Sequence, residues 1–409
     1  MRLLRSGRFA LLFTGTALNA IGNWATLIAL WGYAAFRFHA GPTDIAVLGL
    51  AWALPGALIS PVAGLPIDRL GPRPVLLGSF AIGAATSVAM ATSTTFTALT
   101  ALAAIHGVVQ AFARPAADSL PPRIVNNTDL LAANALLGAA EQSSIMFGPL
   151  VAAGAIALWG LRGAFLTDAV TFAIGAAAIA PLRLRPLIPH GPRQSLAVEA
   201  FEGLRVARRE PVVALTLALA AVVFLTWGAF FVIEPLYVRD VLHRSPSVLG
   251  LLQSSFGVGL VGTTLFLPKF GDRVATPRGV ALSVMLSGLA AALYVGTRSE
   301  PVAFAGVFLW GVDVAFFSAP VRTLLQRATP PQVHGRVLAL IGTLDGWGNA
   351  AALPLTGALM AAIGVRAAGI TAGGLALVAG SVGLVLASRV AMPAPAPPAS
   401  SSRTVLTSA

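Results

Sequence analysis

Four ionisable side chains stand deep inside long hydrophobic runs of this sequence: His106, Glu141, Asp313 and Asp345. At about 1.5 Å per helical residue, His106 lies about 16 Å along its run from Thr95, Glu141 about 16 Å from Leu130, Asp313 about 18 Å from Pro301 and Asp345 about 14 Å from Arg336. Each depth is close to the middle of a bilayer's hydrocarbon, where a charged side chain costs roughly 2.5–3.5 kcal/mol on insertion scales. Such groups face an aqueous cavity or a partner. Desolvation favours the neutral form of a carboxyl group, so an acid at this depth can exchange a proton for a ligand. The competing role is a neutral, hydrogen-bonded tie between helices. Polar and aromatic residues at similar depth, Asn19, Asn23 and Trp24 in the first run and Trp227 in the seventh, suit a cavity for hydrophobic ligands. Each Trp is equally a packing residue.

These residues need elements to hold them, and composition decides which. Only 10% of the 409 residues are charged, against roughly 25% in soluble domains. With 56% hydrophobic residues and a mean hydropathy of +0.83, an ordinary soluble protein is excluded. Twelve apolar runs, from 9–36 to 367–388, are separated by charged or Pro/Gly-rich breaks. The sequence therefore predicts an all-α polytopic membrane protein of twelve transmembrane helices. The fifth and eleventh runs are long enough to include an interfacial turn, and Pro149 and Pro354 interrupt them. The first run is too long for a signal-peptide core and reads as an uncleaved span.

Basic residues give the orientation. With the N-terminus inside, the inner segments hold 20 of the 27 Lys and Arg residues, the outer segments six, and Arg114 stands within a helix. That asymmetry predicts cytoplasmic termini in a cell (inner or plasma) membrane. It also accounts for the net charge of +12, so no nucleic-acid partner is expected. The chain has no Cys, which removes thiolate metal sites and disulfides. No metal or other cofactor is expected.

A repeat divides the chain. Pro72-Arg73, Pro115 and Pro149 recur 205 residues later as Pro277-Arg278, Pro320 and Pro354, and Asp68-Arg69 recurs at 204 as Asp272-Arg273. The same shift carries Glu141 to within one residue of Asp345. Two pseudo-symmetric six-helix bundles follow, over 1–182 and 211–391, with a substrate site between them near the midplane. Residues 183–210 read as a cytoplasmic linker with an amphipathic helix, and 392–409, rich in Pro, Ala and Ser, as a disordered tail.

The loop after the second run reads Gly64-Leu-Pro-Ile-Asp68-Arg69-Leu-Gly71-Pro-Arg73. It resembles the loop signature of the major facilitator superfamily, Gly-x-x-x-Asp-Arg-x-Gly-Arg-Arg/Lys, with Pro72 at one basic position. The resemblance implies that Gly64, Asp68, Arg69, Gly71 and Arg73, with the degenerate copy Asp272, Arg273 and Arg278, form a cytoplasmic gate that holds the two halves together when the far side is open. Further on, Pro115-Ala-Ala-Asp-Ser-Leu-Pro-Pro-Arg123, Ala133-Asn134-Ala135 and Gly148-Pro149 resemble the drug:proton antiporter branch that includes macrolide efflux and enterobactin export proteins. Gly148 and Pro149 stand where that branch has its helix-bending motif, with Ser144, Ala152 and Ala153 replacing three glycines. The branch's fourth-helix Arg is Ala104 here, so its proton-coupling role does not carry over. The superfamily resemblance also implies that the first, fourth, seventh and tenth helices surround the cavity, which favours Asp313 and His106 as lining residues.

Three motifs are rejected. Gly257-Val-Gly259-Leu-Val-Gly262 has no preceding strand, Asn126-Asn127-Thr128 falls in an inner loop, and Lys269, the only Lys, follows Pro268 and cannot complete a Gly-Lys phosphate loop. The expected function is export of a small, largely apolar molecule by proton antiport, with substrate, protons and lipid as partners and a monomeric transporter rather than an enzyme. Proton-coupled uptake on the same fold and a transport-inactive sensor or scaffold are the alternatives.

Overall fold

The computed structural model describes residues 3–184, 205, 209–330 and 333–390. The expected linker helix within 183–210 and the tail 392–409 lie, but for residues 183, 184, 205, 209 and 210, outside the described residues.

Apolar segments that cross hydrocarbon must satisfy their own backbone, and the helix is how a single segment does so. Twelve long helices form among the described residues: α1 (Gly7–Gly32), α2 (Pro42–Ile59), α3 (Pro72–Thr92), α4 (Phe96–Asp118), α5 (Leu130–Trp159), α6 (Leu161–Ile179), α7 (Pro211–Leu236), α8 (Pro246–Phe266), α9 (Pro277–Gly296), α10 (Glu300–Ala328), α11 (His334–Ile363) and α12 (Val365–Ala387). Proline opens α2, α3, α7, α8 and α9, at the position where its missing N–H costs nothing. Eleven of the twelve are long and apolar enough to cross a membrane. The exception by hydropathy is α11, which carries Arg336, Asp345 and Asn349.

The run expected at 45–66 divides into α2, a tight turn at residues 60–62 and a short helix, Gly64–Leu70. The fifth and eleventh runs instead continue as unbroken 30-residue helices through Pro149 and Pro354. Pro149 has no N–H for the carbonyl of Ile145, four residues earlier. That carbonyl faces α8 at Gly257, where an added Cβ would come within 2.7 Å of it. Close packing by a neighbour thus covers the defect.

Helices α1–α6 pack among themselves, and α7–α12 do so in the same pattern. The repeat extends to detail that the sequence landmarks miss. A π-helical turn follows α1 at Tyr33–Arg37 and α7 at Tyr237–Val241, and His39 and His243 close both turns with φ of 49° and 52°. The Tyr33 hydroxyl donates to Ala91 O at 3.0 Å, and the Tyr237 hydroxyl to Tyr294 O at 2.8 Å and Thr297 O at 3.0 Å. The α5–α6 and α11–α12 turns rest on Gly160 and Gly364, with φ of 69° and 83°.

Equivalent helix pairs also touch backbone to backbone. A Cβ at Gly107 of α4 would lie 2.1 Å from Trp52 O of α2, and one at Gly311 of α10 would lie 2.0 Å from Phe256 O of α8. Because a carbonyl cannot rotate away like a side-chain tip, Gly107→Ala and Gly311→Ala should each cost about 1–3 kcal/mol or more. Thermal unfolding in detergent should fall for both, whereas Gly262→Ala, which meets nothing within 4 Å, should match wild type.

The core has one part at one end and two at the other. Alternating spans put residues 60–71, 119–129 and 267–276 on the face shared by the described chain ends, here the terminal face, and residues 33–41, 160 and 364 on the far face. Toward the far face a single hydrophobic cluster joins both halves, from Ala25 to Ala368. Toward the terminal face it splits, one cluster within α1–α6 and another within α7–α12. The halves meet through α5 with α8 and α2 with α11. At the far face Arg239, held by Asp240 at 2.6 Å, reaches across to donate to Ala35 O at 2.7 Å and Ala40 O at 2.9 Å. The molecule is closed at the far face and open at the terminal face.

Candidate functional site

The terminal side contains a cavity of about 500 Å³ within the first half, walled by α1, α3, α4 and α5. Of the residues singled out from sequence, Asn19, Asn23 and Glu141 line it. His106, Trp24, Trp227, Asp313 and Asp345 stand outside that lining.

Asn19 and Asn23 lie one turn apart on α1, and Asn23 Nδ2 donates to Asn19 Oδ1 at 3.3 Å. Gln110 of α4 donates to Asn23 Oδ1 and meets His106 Nε2 at 3.1 Å. With the amide donating, Nε2 is the acceptor and the imidazole proton sits on Nδ1. His106 is fully buried, stacks on Trp52 with ring centroids 4.7 Å apart, and meets the edge of Phe172. His106 Nδ1 and Asn19 Nδ2 are buried without a hydrogen-bond partner. The result is a polar ladder from the cavity wall into the α2–α4 interior.

Glu141 pairs with Arg114 of α4 at 2.8 Å, with side chains 57% and 73% exposed. An ion pair so wet is worth about 0–1 kcal/mol, which leaves both groups available to a ligand. Trp24 packs on Gly148, where a Cβ would come within 2.4 Å of it, and Pro149 O faces Gly250 of α8. The Gly148-Pro149 pair is therefore the junction of α1, α5 and the opposite half. Trp227 packs edge-on against Phe224 and Phe317, with its indole N–H buried and unpartnered.

Asp313 is 6% exposed and turns toward α9, where Ser283 Oγ donates to Oδ1 at 3.1 Å and Oδ2 has no partner. Asp345 is half-buried, and its carboxylate and carbonyl both accept from Asn349 Nδ2 at 2.7 Å. The two midplane acids of α7–α12 thus occupy separate surroundings.

In the loop after α2, Gly64 opens the short helix that carries Asp68 and Arg69, and Gly71 turns the chain into α3. Asp68, Arg69, Arg273 and Arg278 are exposed, and none makes an ion pair with a described residue. Arg73 donates to Ala180 O at the end of α6. The side chain of Asp272 lies outside what is described.

Sequence reasoning missed three participants. Gln110 stands one helical turn from His106, a spacing that puts both on one face. Asp168 of α6 is fully buried and accepts from Ser87 at 2.6 Å and Thr26 at 2.7 Å, tying α1, α3 and α6 together. Its signal was an acid within an apolar run with no basic neighbour. Glu234, near the far end of α7, is only 4% exposed.

A sequence profile of the Major Facilitator Superfamily matches residues 12–243 and 216–408. The chain is 23% identical over 354 residues to macrolide efflux protein A of Streptococcus pyogenes, covering 82% of this chain and 85% of that protein. It is 26% identical over 385 residues to the multidrug efflux pump Tap of Mycolicibacterium fortuitum, covering 87% and 90%. Among solved structures, the nucleoside transporter NupG superposes with a TM-score of 0.74 at 14% identity, over 93% of this chain and 99% of that one.

Proposed function

The chain belongs to the major facilitator superfamily, and from that premise we propose a secondary active transporter that exports a small, largely apolar molecule in exchange for protons. The observation that carries this reading is the split core: a single cluster across the far face, two separate clusters toward the terminal face, and a cavity in the first half near that face. Such an arrangement has an obvious counterpart in which the far face opens and the terminal face closes. The basic residues favour a cytoplasmic terminal face in the cell membrane, so the cavity loads from inside. Asp68, Arg69 and Arg73 would then meet the loop of Arg273 and Arg278 when that side closes. The exposure of Asp68, Arg69, Arg273 and Arg278 here is what a parted gate requires.

The direction follows from that orientation and from the resemblance to proteins named for efflux. Protons are the coupling ion in this reading because carboxyl groups lie deep in the helices with no cationic partner, Asp313 foremost. Inverted membrane vesicles containing the protein should accumulate ethidium or a labelled macrolide when acidified inside, and should lose that accumulation on addition of a protonophore. Accumulation that persists without a gradient, or that reverses in direction, would displace antiport in favour of another mode.

A further inference from the structure

Glu234 belongs to neither the cavity nor the gate. It lies on α7 one turn before the far-face π-helical turn, almost fully buried. Gln253 of α8 donates to Oε2, while Oε1 is buried without a hydrogen-bond partner. Tyr294 of α9 brings its buried hydroxyl to the same carboxyl group, where it can donate to the carboxylate. The other polar groups nearby are engaged elsewhere. Tyr237 spends its hydroxyl on two carbonyls, and Arg366 of α12, the nearby cation, acts on Tyr237 and donates to Gly296 O, with its Nε buried and unpartnered. From α10 comes Trp310, whose indole N–H donates to Ser287 at 2.9 Å and whose ring meets Phe230 at 4.4 Å. That ring pair stands between Glu234 and the midplane position of Asp313, since Phe230 precedes Glu234 by one turn and Trp310 precedes Asp313 by three residues. Among the described residues Glu234 has no ion-pair partner.

A structural tie from α7 to α8 does not need an acid, because Gln at position 234 would accept from Gln253 equally well. An acid without a cation inside a membrane helix is costly and calls for a use. Its place suggests one. Gly250 and Gly257, which flank Gln253 on α8, pack on Pro149, Ala153, Ile145 and Met146 of α5, the contact that closes the far face. Parting α5 from α8 would bring water from the far side to the Gln253 edge of the Glu234 pocket, while the Phe230–Trp310 pair still separates it from the interior.

We propose that Glu234 is a second proton-binding site, loaded from the far face when the α5–α8 contact opens and distinct from the midplane acids. The proposal rests on the proton-antiport reading for its role in transport, but proton binding itself is measurable without a substrate. The full-length protein in lipid nanodiscs is titrated by infrared difference spectroscopy, wild type against Glu234→Gln. A carboxylic-acid C=O band that titrates in wild type and is missing from the variant is expected, and Glu234→Asp should restore a band. In parallel, ethidium movement in vesicles is followed with and without a proton gradient. Glu234→Gln should lose uphill accumulation and keep downhill exchange, which also shows that the variant is folded. Identical infrared titrations overturn the site. Unchanged uphill transport by Glu234→Gln overturns its role. If wild type itself shows no gradient dependence, the antiport reading fails and the infrared comparison still decides whether Glu234 binds a proton.

Discussion

Asp313→Asn should abolish proton-driven accumulation while leaving substrate binding and downhill exchange in place. Asp313 sits near the middle of α10, 6% exposed, with one carboxylate oxygen taken by Ser283 and the other without a partner. A purely structural acid would use both oxygens, as Asp168 does in accepting from Ser87 and Thr26 at Oδ2 and from Thr171 at Oδ1. The free Oδ2 leaves room for a proton, and Asn keeps the shape while fixing the group in an uncharged state. Carriers that cannot charge and discharge this group can still cycle with substrate but cannot couple the cycle to a gradient. The comparison is gradient-driven uptake into inverted vesicles, wild type against Asn, at matched membrane abundance. Asp313→Ala separates coupling from packing, since it also removes the Ser283 bond and should lower folded yield if the acid chiefly ties α9 to α10. Should the Asn variant concentrate substrate as well as wild type does, coupling lies elsewhere, and Glu141 or Asp345 becomes the better candidate.

The sequence carried the spans and the repeat because both are written in residue types. Hydrophobic runs and helix-opening prolines are local, and Pro72, Pro115 and Pro149 reappear at a fixed spacing. The continuity of α5 and α11 through Pro149 and Pro354 was not legible, because what packs over the carbonyl freed by Pro149 is Gly257, distant in sequence. The burial of Glu234 was hidden for a related reason. Distance along a helix gives depth in the bilayer, yet burial at the far face depends on which side of the transporter is closed. Asp313 was found from its depth alone, but its direction, toward Ser283 of α9 rather than the cavity lining, is set by the rotation of α10. Single-residue chemistry could be read in the chain. Which groups meet required the packing.

Locking the far face should stop turnover, and the Cys-free chain makes the test clean. Among the contacts that hold that face closed, α2 and α11 approach most usefully at Ala46 and Gly357, where a Cβ on Gly357 would lie 2.9 Å from the Ala46 Cβ. A disulfide wants about 3.5–4.5 Å between those atoms, so a small relaxation of two helix faces suffices, one that also eases the 3.1 Å approach of the Gly357 Cβ to Pro42 O. Gly250 and Ala153 offer a similar approach, but a Cβ at Gly250 would also meet Pro149 O at 2.6 Å, and the strain would confuse the result. Oxidation of Ala46→Cys/Gly357→Cys should therefore form an intramolecular bridge. If the halves must separate at the far face once per cycle, the bridge must eliminate transport, because a covalent bond across α2 and α11 cannot be broken by the free energy of ligand or proton binding. Reduction should restore activity, and each single variant should remain active under oxidant. Full turnover with the bridge intact would mean that α2 and α11 move together, and that opening of the far face proceeds at α5 and α8 alone.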